Sequence, residues 1–121
     1  MDQVRDAVYE LTALGISVQS PTDPRVVDQI DEFIFVASDH LRSVPTVQRL
    51  HLAAISRSDF LWLVAPDGYV GLSASLEIGY AAACSVPVFA LHAPLDQTVT
   101  HFVTVVPKLA DVPLLLRTLT P

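Results

Sequence analysis

The chain has 121 residues, 51% apolar and 17% charged, with a net charge of -6. One domain's length with this much apolar mass builds a real core, which excludes a disordered chain. The seven Lys and Arg are scattered and form no basic stripe, so a polymeric nucleic-acid ligand is excluded; a mononucleotide is not, because backbone N–H groups alone can hold one phosphate.

The opening MDQVRD is polar and mixed in charge, unlike a signal peptide. No apolar run approaches the roughly 20 residues that span a bilayer, so a cytoplasmic protein with no membrane contact is expected. Cys84 is the single cysteine, which leaves no disulfide framework and no thiolate metal cluster. Within AAACSVP it reads as a small core residue. The four histidines are dispersed without metal-ligand spacing, and no cofactor motif is present.

Apolar residues at Val4, Ala7, Val8, Leu11 and Leu14 repeat at helical spacing, and Gly15 stops that helix. Ile16–Val18 reads as a short strand, ended by the turn-rich Ser20–Pro24. Val26–Val36 is ambiguous: Val26, Val27, Ile30, Phe33 and Ile34 suit a helix, and Phe33–Val36 also suits a strand. Ser43–Thr46 opens a second helix with apolar positions Val47, Leu50, Ala54 and Ile55. Phe60–Ala65, FLWLVA, is a continuous apolar run, the pattern of a strand buried on both faces. A Gly/Ser loop and a helix from about Ser75 to Cys84 follow, then a second buried strand over Val86–Leu91, a further strand within Phe102–Val106 and a closing helix over Leu109–Leu119. Alternating strands and helices predict a single α/β domain over residues 1–121, with a mainly parallel sheet and helices on both faces. The chain opens on a helix where doubly wound folds open on a central strand, so a first strand is missing from the pattern.

The loop after FLWLVA lies where α/β sheets bind ligands, beyond the C-terminal strand ends. Gly68 and Gly71 permit sharp turns and close approach to a ligand. Ser73 and Ser75 suit helix N-caps beside a small anion site. Tyr69, at the loop tip, suits stacking on a base, whereas Trp62 reads as core. Glu77 does not complete a capping box, because Ala74 stands where a Ser or Thr would be needed. Leu76, Ile78, Ala81 and Ala82 around it suggest a helix buried on more than one side. A carboxylate there needs a partner and is placed to attack an electrophilic carbon. Asp59, just before the strand, is the second candidate; its place at the opposite strand end from the loop is a geometric objection. His51 reads as a packing or surface hydrogen-bonding residue, His92 as a weaker shuttle candidate, and Arg49 as solvated.

Ser58–Val64, then Gly71-Leu72-Ser73 and Glu77-Ile78-Gly79-Tyr80-Ala81, together resemble the nucleoside 2-deoxyribosyltransferase family, whose superfamily includes deoxynucleoside 5'-monophosphate N-glycosidases. The match covers about Ile55–Leu91. The resemblance implies a Rossmann-like (flavodoxin-like) domain that cleaves an N-glycosidic bond or transfers the (deoxy)ribosyl group. It implies Glu77 as nucleophile on C1', Asp59 in proton handling or base positioning, and Ser73 and Ser75 on a 5'-hydroxyl or 5'-phosphate. The implied ligand is a nucleoside or nucleoside monophosphate, without a cofactor, in a homodimer or higher homo-oligomer. The family's first strand has no counterpart here. A nucleotide-binding domain without catalysis and a dimerising interaction domain stay open as alternatives.

Overall fold

The computed structural model describes residues 2–19, 26–30, 33–36 and 43–119. Helix α1 (Asp2–Ala13) buries Val8 and Leu11, as the helical spacing predicts. It closes in a Schellman turn: the Ile16 N–H donates to the Leu11 carbonyl and the Gly15 N–H to the Thr12 carbonyl, each at 3.0 Å. Gly15 takes φ +80°, a conformation that costs a glycine no Cβ clash. The strand expected at Ile16–Val18 does not form; no strand among the described residues pairs with it, and residues 16–19 run irregularly. The expected turn at Ser20–Pro24 lies outside the described residues.

The ambiguous stretch resolves as two strands, β1 (Val26–Ile30) and β2 (Phe33–Val36), paired antiparallel from Val26↔Val36 to Ile30↔Phe33 with an irregularity between Val26 and Asp28. Its β-branched and aromatic residues favour the pleated ladder over the helix.

Helix α2 (Val44–Ser56) starts at Ser43, whose extended backbone precedes Pro45 in the first turn. Val47, Ala54 and Ile55 are buried, but Leu50, expected inside, is 63% exposed. It lies on the flank of α2 opposite Gln48, away from the next helix to pack there.

Three short parallel strands follow, β3 (Leu61–Leu63), β4 (Val88–Ala90) and β5 (Thr104–Val105), in the order β3-β4-β5. Leu61 pairs with Val88 and Leu63 with Ala90, while Phe89 and Ala90 pair with Thr104 and Val105. All three strands are shorter than their apolar runs, because a strand extends only where a neighbour supplies a ladder. Helix α3 (Leu72–Ala83) joins β3 to β4, a short helix α4 (Gln97–Thr100) joins β4 to β5, and a 3-10 turn (Leu109–Asp111) leads into α5 (Val112–Leu119). Asp96 caps α4, its side chain accepting from the Thr98 N–H at 2.7 Å.

Alternation along the strands splits the core into two layers. Leu63, Val88 and Ala90 pack with Ile55 of α2 and Ile78 and Ala81 of α3. Phe89 points the other way, to Val106 and Val112, with Phe60, Trp62 and Leu116 against them. The Phe60 and Phe89 rings tilt at 55° with centroids 6.0 Å apart, a favourable aromatic geometry. Trp62, expected in the core, is half-buried: it packs against this layer and also lines cavities beside the sheet. Helices cover both faces of a small parallel sheet. The architecture is α/β. No helix among the described residues is long and apolar enough to cross a membrane.

Candidate functional site

Helix α3 begins three residues earlier than the sequence predicts. Gly71, not a serine, is its N-cap, and no side chain caps it. Ser73 and Ser75 therefore lie inside the first turns, with the Ser75 N–H donating to the Gly71 carbonyl at 2.9 Å. Leu76 and Ala82, expected to be covered, are exposed, so α3 buries one face, through Ile78 and Ala81. Cys84, expected in the core, is exposed at the helix C-cap, where the chain has left the packed layer.

Glu77 sits in the second turn of α3. Its Oε2 accepts a hydrogen bond from Gln48 Nε2 at 2.9 Å and lies 3.6 Å from His51 Nδ1. Gln48 and His51 are three residues apart on α2 and so share one face. The Glu77 side chain is 22% exposed. At that depth a carboxylate needs a donor, and Gln48 supplies one; a protonated His51 adds an opposite charge. Both contacts fall on Oε2.

A cavity of about 620 Å³ opens beside Glu77. It is walled by α1, the irregular segment 15–19, His51 and the end of α2, the whole stretch from Arg57 to Val64, and Ala74 and Glu77 of α3. Its size suits a nucleoside-scale ligand. It lies against β3, an edge strand of the sheet among the described residues.

The structure brings Asp59 and Glu77 to the same cavity. The reason is directional. The helix of a parallel β-α-β unit runs back antiparallel to its strands. Six residues into α3, Glu77 lies about 9 Å back from the loop end, toward the strand end that Asp59 precedes. The objection that Asp59 and the Gly/Ser loop stand at opposite ends of β3 is correct, and Glu77 goes with Asp59.

The loop residues stand elsewhere. Gly68, Tyr69, Gly71, Ser73 and Ser75 are absent from the wall of this cavity. Gly68 takes φ +79° and is buried; a Cβ there would meet Leu95 Cγ at 2.7 Å and the Ala93 carbonyl at 3.1 Å. Its close approach is to its own chain, and its carbonyl accepts from the Leu95 N–H at 3.0 Å. Tyr69 is 61% exposed. His92 lines a separate cavity of about 350 Å³ with α1 and the end of β3.

Family models, curated proteins and solved structures yield no match to the chain. Sequence reasoning missed Gln48 altogether and gave His51 a packing or surface hydrogen-bonding role, without naming Glu77 as its neighbour. Their shared helical face was a readable signal, but the element it faces, 29 residues on from Gln48, was not.

Proposed function

We propose that the chain cleaves or transfers at an N-glycosidic bond of a nucleoside or nucleoside monophosphate, with Glu77 as the covalent nucleophile. The observation that carries this reading is the placement of Glu77: a mostly covered carboxylate, hydrogen-bonded by Gln48 through one oxygen and facing a nucleoside-sized cavity. An attacking carboxylate must be held still and kept from bulk water.

In the proposed first step Glu77 Oε1 bonds to C1' as the C1'–N bond breaks. The electron pair leaves with the base, which takes a proton from Asp59 or water. In the second step Asp59 removes a proton from water, whose oxygen attacks C1' and releases Glu77; transfer replaces that water with a nitrogen of a second base. Gln48 and His51 act as positioning residues. The roles implied for Ser73 and Ser75 are not part of the proposal, because these residues stand off the cavity. The finer fold reading, a Rossmann-like sheet without its first strand, draws support from β3 lying at the sheet edge beside the cavity.

A second reading, a nucleotide-binding domain without catalysis, is favoured by the exposure of Asp59 and the absence of Ser73 and Ser75 from the cavity wall. One experiment separates the two. The protein is incubated with a panel of deoxynucleosides, ribonucleosides and their monophosphates, and free base is measured by chromatography alongside a thermal-shift scan. Base release by the wild type, abolished in Glu77→Ala and Glu77→Gln with circular dichroism unchanged, supports the enzyme. A thermal shift without base release selects the binding domain. Release that survives both substitutions refutes the role of Glu77.

A further inference from the structure

Strand β3 carries backbone groups that its own sheet does not use. The Leu61 N–H donates to the Pro87 carbonyl at 2.9 Å, and Leu61, Trp62 and Leu63 stand in parallel register with Val88, Phe89 and Ala90. In that register every second residue of β3 spends its N–H and C=O on β4. Leu61 and Leu63 do so. Trp62, between them, turns both groups the other way, to the side where no strand pairs with β3 among the described residues. No backbone hydrogen bond reaches Trp62 on that side among the described residues.

The cavity beside Glu77 occupies that side. Ala74 and Glu77 of α3 line it from one face of the sheet, and Pro113 and Leu116 of α5 from the other. A space reached from both faces lies off the edge, and Trp62 is part of its wall. Across it stands α1, which presents Val4, Val8 and Leu11. A helix uses its backbone groups internally, and these side chains carry no donor or acceptor. One N–H and one C=O of β3 therefore open on a largely apolar space without a partner from the facing helix. Covered backbone groups need a partner, and at a sheet edge they form a template for one.

The pair of groups itself points to the ligand. A donor and an acceptor side by side on a β edge fit a molecule that offers an acceptor and a donor side by side in one plane. An extended peptide does so. So does the rim of a nucleobase, which proteins read by hydrogen bonds to that rim and by apolar walls against the ring. The cavity favours the base. Its volume of about 620 Å³ is of nucleoside scale, and its apolar walls suit a flat ring. It also contains a carboxylate, Glu77, held by Gln48, which docking of a peptide backbone gives no reason for.

We propose that the open edge of β3 is the base-reading wall of the cavity, where the Trp62 N–H donates to an acceptor on the nucleobase rim and the Trp62 C=O accepts from the N–H beside it. The proposal rests on the cavity holding a nucleoside, which the enzyme and binding-domain readings share, and not on the reaction. Recognition then depends on an intact rim.

The test uses thymidine against N3-methylthymidine, and deoxyadenosine against its N6,N6-dimethyl derivative. Within each pair the sugar and the glycosidic bond are the same, and methylation removes the donor at the rim. Amide NMR reads binding and hydrogen exchange, and chromatography reads free base. In the free protein the Trp62 amide exchanges faster than those of Leu61 and Leu63, which are bonded to β4. At least one parent nucleoside binds and slows Trp62 exchange by about tenfold or more, with Leu61 and Leu63 unchanged. Its methylated partner binds at least about tenfold more weakly and leaves Trp62 unprotected. A parent nucleoside that binds without protecting Trp62 overturns the proposal, and so does equal binding of its methylated partner. Base release with Trp62 unprotected removes this proposal and leaves the glycosidase reading standing. Protection of Trp62 without base release does the reverse. No binding of either parent nucleoside removes both.

Discussion

Breaking the Gln48–Glu77 contact tests whether the carboxylate is held as the structure shows. Gln48→Ala removes the donor that reaches Glu77 Oε2 at 2.9 Å. Hydrogen bonds to charged groups contribute about 1.5–3 kcal/mol, and the Glu77 side chain, 22% exposed, keeps some access to water that screens the interaction. A coupling of about 1–2 kcal/mol follows. The assay is a double-mutant cycle of Gln48→Ala and Glu77→Ala by urea unfolding, read as the departure from additivity. It needs no substrate, so it stands whether or not the proposed reaction does. His51 shares Oε2, so the cycle is run at about pH 8.5, where an ordinary imidazole is neutral. If the chain is an enzyme, Gln48→Ala also lowers kcat by about tenfold, the kinetic equivalent of about 1.4 kcal/mol, with a smaller change in KM. A coupling below about 0.3 kcal/mol refutes the reasoning, because the two side chains are then not joined in solution.

Gly68→Ala is destabilising by about 2–3 kcal/mol in urea unfolding, since the new Cβ faces Leu95 Cγ at 2.7 Å on a backbone at φ +79°. Ser85→Gly is stabilising by about 0.5–1 kcal/mol, because Ser85 holds φ 59° at the end of α3, where the Val86 N–H donates to the Ala81 carbonyl at 2.8 Å; an unchanged or lower melting temperature contradicts this. Ile78→Ala, at a fully buried position between the sheet and α3, costs about 2–5 kcal/mol, whereas Leu72→Ala on the open face changes the stability of the monomer by less than about 0.5 kcal/mol.

The layer order was legible because burial on two faces leaves continuous apolar runs, and FLWLVA and VPVFAL carry them. Their true lengths were not: three residues of each pair, because the limit is set by the neighbouring strand and not by the run itself. Helix starts failed where side-chain chemistry and backbone geometry compete. Serines 73 and 75 are good caps by type, yet the chain turns into α3 at Gly71, whose extended backbone permits an earlier first turn. Leu50 and Cys84 show the same limit from the packing side, for spacing marks a helix face without saying how wide the neighbour that covers it is. At the site, Glu77 stood out because an acid among apolar residues demands a partner. The identity of that partner depends on how α2 and α3 lie side by side, which is a tertiary fact.

Helix α3 meets three requirements at three angles. Ile78 and Ala81 face the sheet, Glu77 faces α2, and Leu72, Leu76 and Gly79 face outward. These directions do not overlap, and a second acid on the inward face of this twelve-residue helix would be buried without a donor. The division of faces also makes the substitutions separable. Changes at Gly79 reach Glu77 only through rotation or displacement of the whole helix, which the buried Ile78 resists.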